Sequence, residues 1–166
     1  MPFTAPDAWR QGDLLLRSFQ PGDGPELNRA TQSSLEHLRP WMAWASPGTT
    51  VEDSEAFARE SFARWLLGEE FGVAVWRGER LVAATGFHLR GPRLADAAAE
   101  IGMWVRADEA GRGLGTRVLR AMVDWADAAL SLMDGLEAAA RSIDEGRARQ
   151  ALDAWVEASR RAAADA

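Results

Sequence analysis

The segment from Glu100 to Thr116 constrains the fold more than any other part of the sequence. An apolar run, Glu100–Val105, is followed by the closely spaced glycines Gly111, Gly113 and Gly115, and an apolar pattern of helical period starts at once. Glycine lets a backbone approach a ligand closely, and the first amides of a helix have no partner within it. A strand, a glycine loop and a helix start in this order predict either a site for a phosphate or pyrophosphate, or simply a tight turn.

Two common phosphate-binding loops do not fit this segment. All 19 basic residues are arginine, so the lysine that a Walker-type loop requires is missing. A dinucleotide-binding loop belongs to two parallel strands joined by a helix, whereas the strands predicted before this loop are joined as hairpins. The glycine loop, defined here as Gly111–Thr116, therefore suits an anion held by backbone amides in a fold of antiparallel strands.

The composition narrows the function further. The 166 residues carry a net charge of −6, which argues against a nucleic-acid binder because such proteins present a basic patch. The sequence has no cysteine, which excludes a thiolate nucleophile and a sulfur-based zinc site, and no metal site is predicted. The first twenty residues lack an apolar signal segment, and the apolar runs are far shorter than the ~20 residues of a membrane span. We expect a cytoplasmic protein that does not bind membranes.

Before residue 130 the pattern alternates between strands and helices. It predicts strands over Asp13–Phe19, Phe71–Trp76, Leu81–Leu89 and Ala98–Val105, and helices over Pro25–Leu38, from a cap at Thr49 or Thr50 to about Leu67, and from the glycine loop to about Ala129. The turn of residues 77–80 joins the second and third of these strands as a hairpin. The third and fourth are also expected to be antiparallel.

After Val105 no strand-like run follows, and the rest of the chain predicts helices. Ser131 is a good N-cap for a first tail helix, which Gly146 would stop, and a second apolar stripe runs from Ala148 to Ser159. This change of pattern predicts a division of the chain into residues 1–130 and a helical tail of residues 131–166.

The hairpins, the run EIGMWV and the loop GRGLGT at a helix start together resemble the GNAT N-acetyltransferase superfamily. Leu14–Phe19, His37–Trp44 and Glu100–Gly102 resemble its RimJ/RimL-type branch of ribosomal-protein-alanine acetyltransferases. The resemblance covers roughly residues 12–130. It implies an α/β (α+β) fold, with a mixed, mainly antiparallel sheet flanked by helices. In this chain two helices would replace the family's C-terminal strands.

The resemblance also implies a reaction and its partners. Acetyl-CoA would be the donor, and a primary amine, either a protein N-terminal α-amine or a small molecule, the acceptor. The amides of the glycine loop would bind the CoA pyrophosphate, and the edge of the preceding strand would pair with the pantetheine. The implied cofactor-binding residues are Met103, Trp104, Val105, Gly111, Arg112, Gly113, Leu114, Gly115 and Thr116.

The sequence departs from the family pattern in two places. Ala110 stands where the family often has Gln or Arg, which matters modestly because backbone amides do the binding. After the loop helix the family continues with strands, whereas Ser131–Val156 resembles, faintly, the C-terminal helices of anthranilate phosphoribosyltransferases without the residues of that chemistry. The alternative function is therefore a truncated or chimeric domain that acts at most as a CoA-binding or protein-interaction module. A homodimer in which the partner completes the sheet is a third possibility.

Two residues are candidates for acid–base catalysis. Glu100 resembles the family's acidic residue two positions before Gly102, and desolvation beside the pantetheine would raise the pKa of its carboxyl group. His88 lies on the adjacent predicted strand, and histidine is the residue type most suited to exchange protons near neutral pH; the alternative is a half-exposed strand histidine. Acetyl transfer also leaves CoA as a thiolate, which must be protonated. The sequence has no Tyr or Cys, so this proton would come from water or from Ser or Thr. Trp41, Met42 and Trp44 form either a wall of the substrate site or part of the core.

Overall fold

The computed structural model describes residues 6–88, 100–144, 149, 150 and 154. The chain divides into two units, Met1–Trp125 and Ala126–Ala166. The described strands are β1 (Ala8–Gln11), β2 (Leu14–Ser18), β3 (Phe71–Arg77), β4 (Arg80–His88) and β5 (Glu100–Val105); the helices are α1 (Gly24–Gln32), α2 (Leu35–Leu38), α3 (Val51–Leu67) and α4 (Leu114–Asp144). A short 3₁₀ turn, Ala107–Glu109, lies between β5 and α4.

The five strands form one sheet in the order β1-β2-β3-β4-β5, and every neighbouring pair is antiparallel. The mainly antiparallel sheet flanked by helices, predicted from the sequence, is confirmed. Strand β1 was not predicted, because its four residues, Ala8–Gln11, have no apolar run. Leu89, Ala98 and Ala99, which the sequence analysis included in strands, lie outside the described residues.

Side chains alternate between the two faces of the sheet, so each face has its own core. On one face Val73 and Val75 of β3 pack with Val118, Met122 and Trp125 of α4. The opposite face carries smaller residues, and a second core forms there from Phe19, Leu27, Ala30, Ala58, Ala74, Trp76, Leu81 and Ala84. This second face also borders the cleft described below.

The predicted helix over Pro25–Leu38 is two helices in the structure. The Ser33 hydroxyl donates to the carbonyl of Ala30 at 3.1 Å, and the Ser34 hydroxyl accepts from the amide of Ala107 at 3.0 Å. Serine side chains that bond to nearby backbone compete with helical hydrogen bonding. The pair Ser33–Ser34 therefore separates α1 from α2.

The predicted end of the loop helix near Ala129, with a new helix capped by Ser131, is wrong. Helix α4 runs without interruption from Leu114 to Asp144. The stretch from Thr116 to Asp134 contains no Gly or Pro and is rich in Ala, Leu and Met, so it offers no stop signal. Of the predicted second tail helix, the structure describes only Arg149, Gln150 and Ala154, which are helical; Gly146 lies outside the described residues.

The predicted division into residues 1–130 and 131–166 stays a prediction. Within the described part of the chain, no helix combines the length and the apolar character needed to span a membrane.

Candidate active site

A cleft of about 540 Å³ lies on the sheet face that carries the smaller side chains. Small residues of three neighbouring strands line it, namely Gly72, Ala84, Gly86 and Gly102. The remaining apolar lining comes from α1, α3 and the segments beside them: Phe19, Leu27, Leu35, Met42, Trp44 and Phe57. The cleft thus reaches from the helical layer to β5.

Two tryptophans border the cleft at β5. The rings of Trp44 and Trp104 lie 6.1 Å apart between centroids, tilted by 57°, and both line the cleft with Met42. Of the two alternatives for Trp44 and Met42, the structure supports the wall of a cleft. Trp41 is 82% exposed and belongs to neither core.

A row of charged side chains forms one end of the cleft. Arg64 of α3 pairs with Glu60 one turn earlier and with Glu70, where the N–O distance is 3.0 Å. Glu70 in turn lies 2.6 Å from His88, between Oε1 and Nδ1. The hydrogen bond to Glu70, together with the charge of Glu60, holds the pKa of Arg64 above its usual value. These four residues, Glu60, Arg64, Glu70 and His88, all line the cleft and are called the charged row below.

The structure places the two predicted acid–base residues side by side. His88 of β4 is the direct cross-strand partner of Glu100 of β5, and directly opposed residues of antiparallel strands lie on the same face. The Glu100 side chain is exposed, so the expected desolvation is not provided by the protein around it. His88 is 36% exposed and lines the cleft. Sequence reasoning missed Glu70 and Arg64.

The glycine loop leads from β5 into α4. Gly111 and Gly113 have left-handed backbones, with φ of +71° and +75°, and a Cβ atom added at either would meet no atom within 4 Å. The loop thus has open space in front of it. A Cβ at Gly115 would lie 3.6 Å from Met103 Cε and 3.8 Å from Val105 Cγ2. This third glycine therefore lets the start of α4 approach β5 closely.

Helix α4 starts within the glycine loop, as the sequence predicted. The amide of Arg117 donates to the carbonyl of Gly113 at 3.1 Å, so Leu114, Gly115 and Thr116 form the first helical turn. Amides of a first turn have no carbonyl partner in their own helix. Together with the open space before Gly111 and Gly113, they suit a ligand with phosphate groups.

Ionic contacts hold the segment before the glycine loop in place, and sequence reasoning did not find them. The buried Glu109 accepts from Arg77 at 2.8 Å and from Arg80 at 3.3 Å, both in the β3–β4 hairpin. This hydrogen bond to Glu109 holds the pKa of Arg77 above its usual value. Arg106 pairs with Glu26 of α1 at 3.3 Å. The partners are at least 29 residues apart in the sequence, so no local sequence pattern predicts these contacts.

The predicted residues of β5 divide between the two faces of the sheet. Met103 and Val105 pack against the core that includes α4, whereas Trp104 packs against the core on the cleft face. Among the described strands β5 forms an edge of the sheet, because its neighbour in the ladder is β4. The open side of an edge strand has backbone groups available for a ligand or a further strand.

Comparison with known proteins identifies a family and several solved structures of similar fold. A family model described as "Acetyltransferase (GNAT) domain" matches residues 13–160. None of the curated proteins compared with this sequence matches it. Among solved structures, a microcin self-immunity acetyltransferase, MccE, in complex with acetyl-CoA and AMP is 17% identical, with a TM-score of 0.64 over 74% of this chain and 67% of that chain.

Two further solved structures are acetyltransferases named for their action on ribosomal proteins. RimL, a ribosomal alpha-N-protein acetyltransferase in complex with coenzyme A, is 18% identical, with a TM-score of 0.61 over 69% of this chain and 63% of that chain. A ribosomal-protein-alanine acetyltransferase from Vibrio fischeri is 15% identical, with a TM-score of 0.58 over 71% of this chain and 66% of that chain. The chain thus spans about two thirds of the length of these proteins. At such identities the likeness concerns the fold.

Proposed function

Because the chain belongs to the acetyltransferase (GNAT) domain family, we propose that it transfers an acetyl group from acetyl-CoA to a primary amine. The observation that carries this proposal is the continuity of the cleft with β5. The cleft ends at Gly102, Met103 and Trp104, and the glycine loop begins six residues after β5 ends. An acceptor in the cleft would therefore reach a donor that lies along β5.

The family prediction made from the sequence is confirmed, and it extends further along the chain. The matched region runs to residue 160, so it includes most of the tail that the sequence analysis placed outside the resemblance. The faint likeness of that tail to anthranilate phosphoribosyltransferases adds nothing to the function.

Bound acetyl-CoA would supply the acetyl group as a thioester. The amides of Gly111, Arg112, Gly113, Leu114, Gly115 and Thr116 would hold its pyrophosphate, because they stand at a helix start and there is open space beside Gly111 and Gly113. The edge of Met103, Trp104 and Val105 would pair with the pantetheine.

The acceptor we propose is a protein N-terminal α-amine or a small molecule with a primary amine. The cleft supports this class because its charged side chains include Asp53, Glu60 and Glu70, which attract an ammonium group. Glu100 and His88 are the proposed proton acceptors. The enzyme we propose is RimJ/RimL-like and cytoplasmic; the folds of the ribosomal-protein acetyltransferases support the likeness to that branch.

A second candidate function is a CoA-binding or protein-interaction module without catalysis. The observation that favours it is the continuous helix α4, which occupies residues up to Asp144 where the family resemblance implies a strand. The two candidates differ in turnover: both bind CoA, and the enzyme alone acetylates amines.

Calorimetric titration with acetyl-CoA tests the donor site. The parent should bind, and Gly113→Glu should weaken binding by about tenfold or more, because a carboxylate would meet the pyrophosphate. Gly78→Glu is a matched control, since Gly78 in the β3–β4 turn has a φ of +60° and equal open space. It should bind like the parent. No heat with the parent would overturn the proposed function.

Turnover is then measured with a peptide that has a free N-terminal alanine and with a small amine. Acetylation of either supports the enzyme. Binding of acetyl-CoA without acetylation of either amine supports the module.

A further inference from the structure

His88 is the last member of the charged row, whose other members have no part in the proton transfer predicted from the sequence. The row runs along α3 and the segment after it, from Glu60 through Arg64 to Glu70, and ends at His88 of β4. Each oxygen of the Glu70 carboxylate has its own partner: Oε1 lies 2.6 Å from Nδ1 of His88, and Oε2 lies 3.0 Å from Nη1 of Arg64. The carboxylate is therefore fixed in two directions.

This arrangement favours a proton on one of the two imidazole nitrogens. At 2.6 Å a lone pair on Nδ1 would face an oxygen of the carboxylate and be repelled, so the proton is favoured on Nδ1. In a neutral imidazole the other nitrogen, Nε2, then has a free lone pair. A partner that fixes the tautomer in this way makes Nε2 the proton acceptor.

Nε2 lies where the cleft meets β5. A Cβ atom added at Gly102 would be only 2.7 Å from Nε2 of His88, so the ring edge lies directly over the backbone of β5. Gly102, His88 and Glu70 all line the cleft. The lone pair of Nε2 is thus beside the strand along which the proposed donor would lie.

We propose that Glu70 is a positioning residue that holds His88 with Nε2 free to take a proton from the acceptor amine, and that Arg64 fixes Glu70 in turn. The inference rests on the proposed function and adds the residues that fix which nitrogen of His88 accepts the proton. Glu100 is the cross-strand partner of His88, and Glu60 pairs with Arg64.

In this proposal the amine loses a proton before it attacks the thioester. The acceptor ammonium gives one proton to Nε2 of His88, and the protonated imidazole later releases it to solvent. The nitrogen lone pair then forms the N–C bond to the acetyl carbon while the C–S bond breaks and its electron pair goes to sulfur. The second surplus proton of the nitrogen goes to this thiolate, so the products are the amide and the CoA thiol.

Two substitutions separate this role from a purely structural contact. His88→Asn keeps a side-chain donor near the position of Nδ1 but has no counterpart of Nε2. It should lower kcat by about 10²-fold or more and leave the melting temperature and the Kd of acetyl-CoA unchanged. Glu70→Gln should lower kcat by about 10-fold to 100-fold, again with unchanged acetyl-CoA binding. Free imidazole should partly restore the activity of His88→Ala.

Glu55→Gln is the matched control. Glu55 is a carboxylate of α3, the helix that carries Arg64. It pairs with Arg59 at 2.7 Å and does not line the cleft. Its kcat should equal that of the parent. Parent-like kcat in both His88→Asn and Glu70→Gln would overturn the inference.

NMR of the imidazole nitrogens gives a readout that needs no turnover. The chain has two histidines, so His88→Asn identifies the signals of His88. The inference expects neutral His88 to carry its proton on Nδ1 in the parent and to lose this preference in Glu70→Gln. A proton on Nε2 in the parent would overturn it, whereas failure of the proposed function would show as the absence of acetyl-CoA binding or of amine acetylation.

Discussion

Two glycines of the cleft show how a single Cβ atom would act on function or on stability. At Gly102 an added Cβ would meet the far end of the His88 side chain, 2.7 Å away, whereas at Gly86 it would lie 2.8 Å from the backbone carbonyl oxygen of Phe71. A flexible side chain moves aside at low cost, but backbone inside a sheet does not. The two positions therefore differ in what a substitution would disturb.

We expect Gly102→Ala to lower activity and Gly86→Ala to lower stability. The first should displace the His88 ring, reduce kcat by about tenfold or more and leave the melting temperature almost unchanged, if proton transfer at Nε2 contributes as general bases usually do. The second overpacks the β3–β4 ladder and should cost about 1–3 kcal/mol of the free energy of unfolding. Thermal unfolding and initial rates measured on both variants check this. Equal loss of melting temperature in both would contradict it.

Sequence reasoning at the residue scale found His88 and Glu100 but not the groups that hold His88. The first two follow from strand alternation, because a hairpin and a third strand place their side chains on one face. Glu70 lies just before β3 and 18 residues from His88. A single carboxylate at a strand start has no periodic signal, so only the folded sheet brings it to the histidine.

Among the elements, the start of α3 is the best predicted, because its signals are local. The Thr50 side chain accepts from the amide of Asp53 at 3.1 Å, and the Asp53 carboxylate accepts from the amide of Thr50 at 2.9 Å. This reciprocal pair is a capping box. The separation of α1 from α2 was missed because it depends on Ala107, which is 73 residues from Ser34.

The capping box makes the stability of α3 depend on pH. The hydrogen bonds from the backbone amide and then the hydroxyl of Thr50 hold the pKa of Asp53 below its ordinary value of 3.8. A lowered folded-state pKa contributes stability that is present above 3.8 and is lost as the pH falls through the folded-state value. Asp53→Asn lacks this contribution at every pH.

We therefore expect the difference in free energy of unfolding between the parent and Asp53→Asn to be largest near neutral pH and to shrink below pH 3.8. Urea unfolding of both proteins across this range measures the difference. Asp108→Asn serves as the comparison, because Asp108 lies in a 3₁₀ turn away from α3. A difference that stays constant as the pH falls would contradict the assignment of the effect to the Asp53 carboxylate.

For the whole molecule, the antiparallel pairing of β3, β4 and β5 was predictable, but β1 and the course of the chain after the glycine loop were not. The turn between β3 and β4 is short and local, and the apolar runs of these three strands follow from the sequence pattern. The end of α4 depends on competing weak signals: a serine that caps well and a run of strong helix formers around it. The run of helix formers outweighs the serine cap, and α4 continues to Asp144. The helix therefore includes residues on both sides of the division after Trp125.

Leu132→Pro distinguishes a continuous α4 from two helices. If Ser131 capped a new helix, residue 132 would be its first position, where proline is well tolerated because its missing amide would have no partner there. In a continuous helix the same proline removes a hydrogen bond and collides with the preceding turn, at a cost of about 3 kcal/mol. We expect Leu132→Pro to lose helical signal in circular dichroism and to unfold at a lower temperature than the parent. Leu132→Ala removes the same side chain and keeps the backbone amide, so the excess loss in the proline variant isolates the backbone effect. Equal signals and melting temperatures for the two variants would show that the helix is interrupted at Ser131 after all.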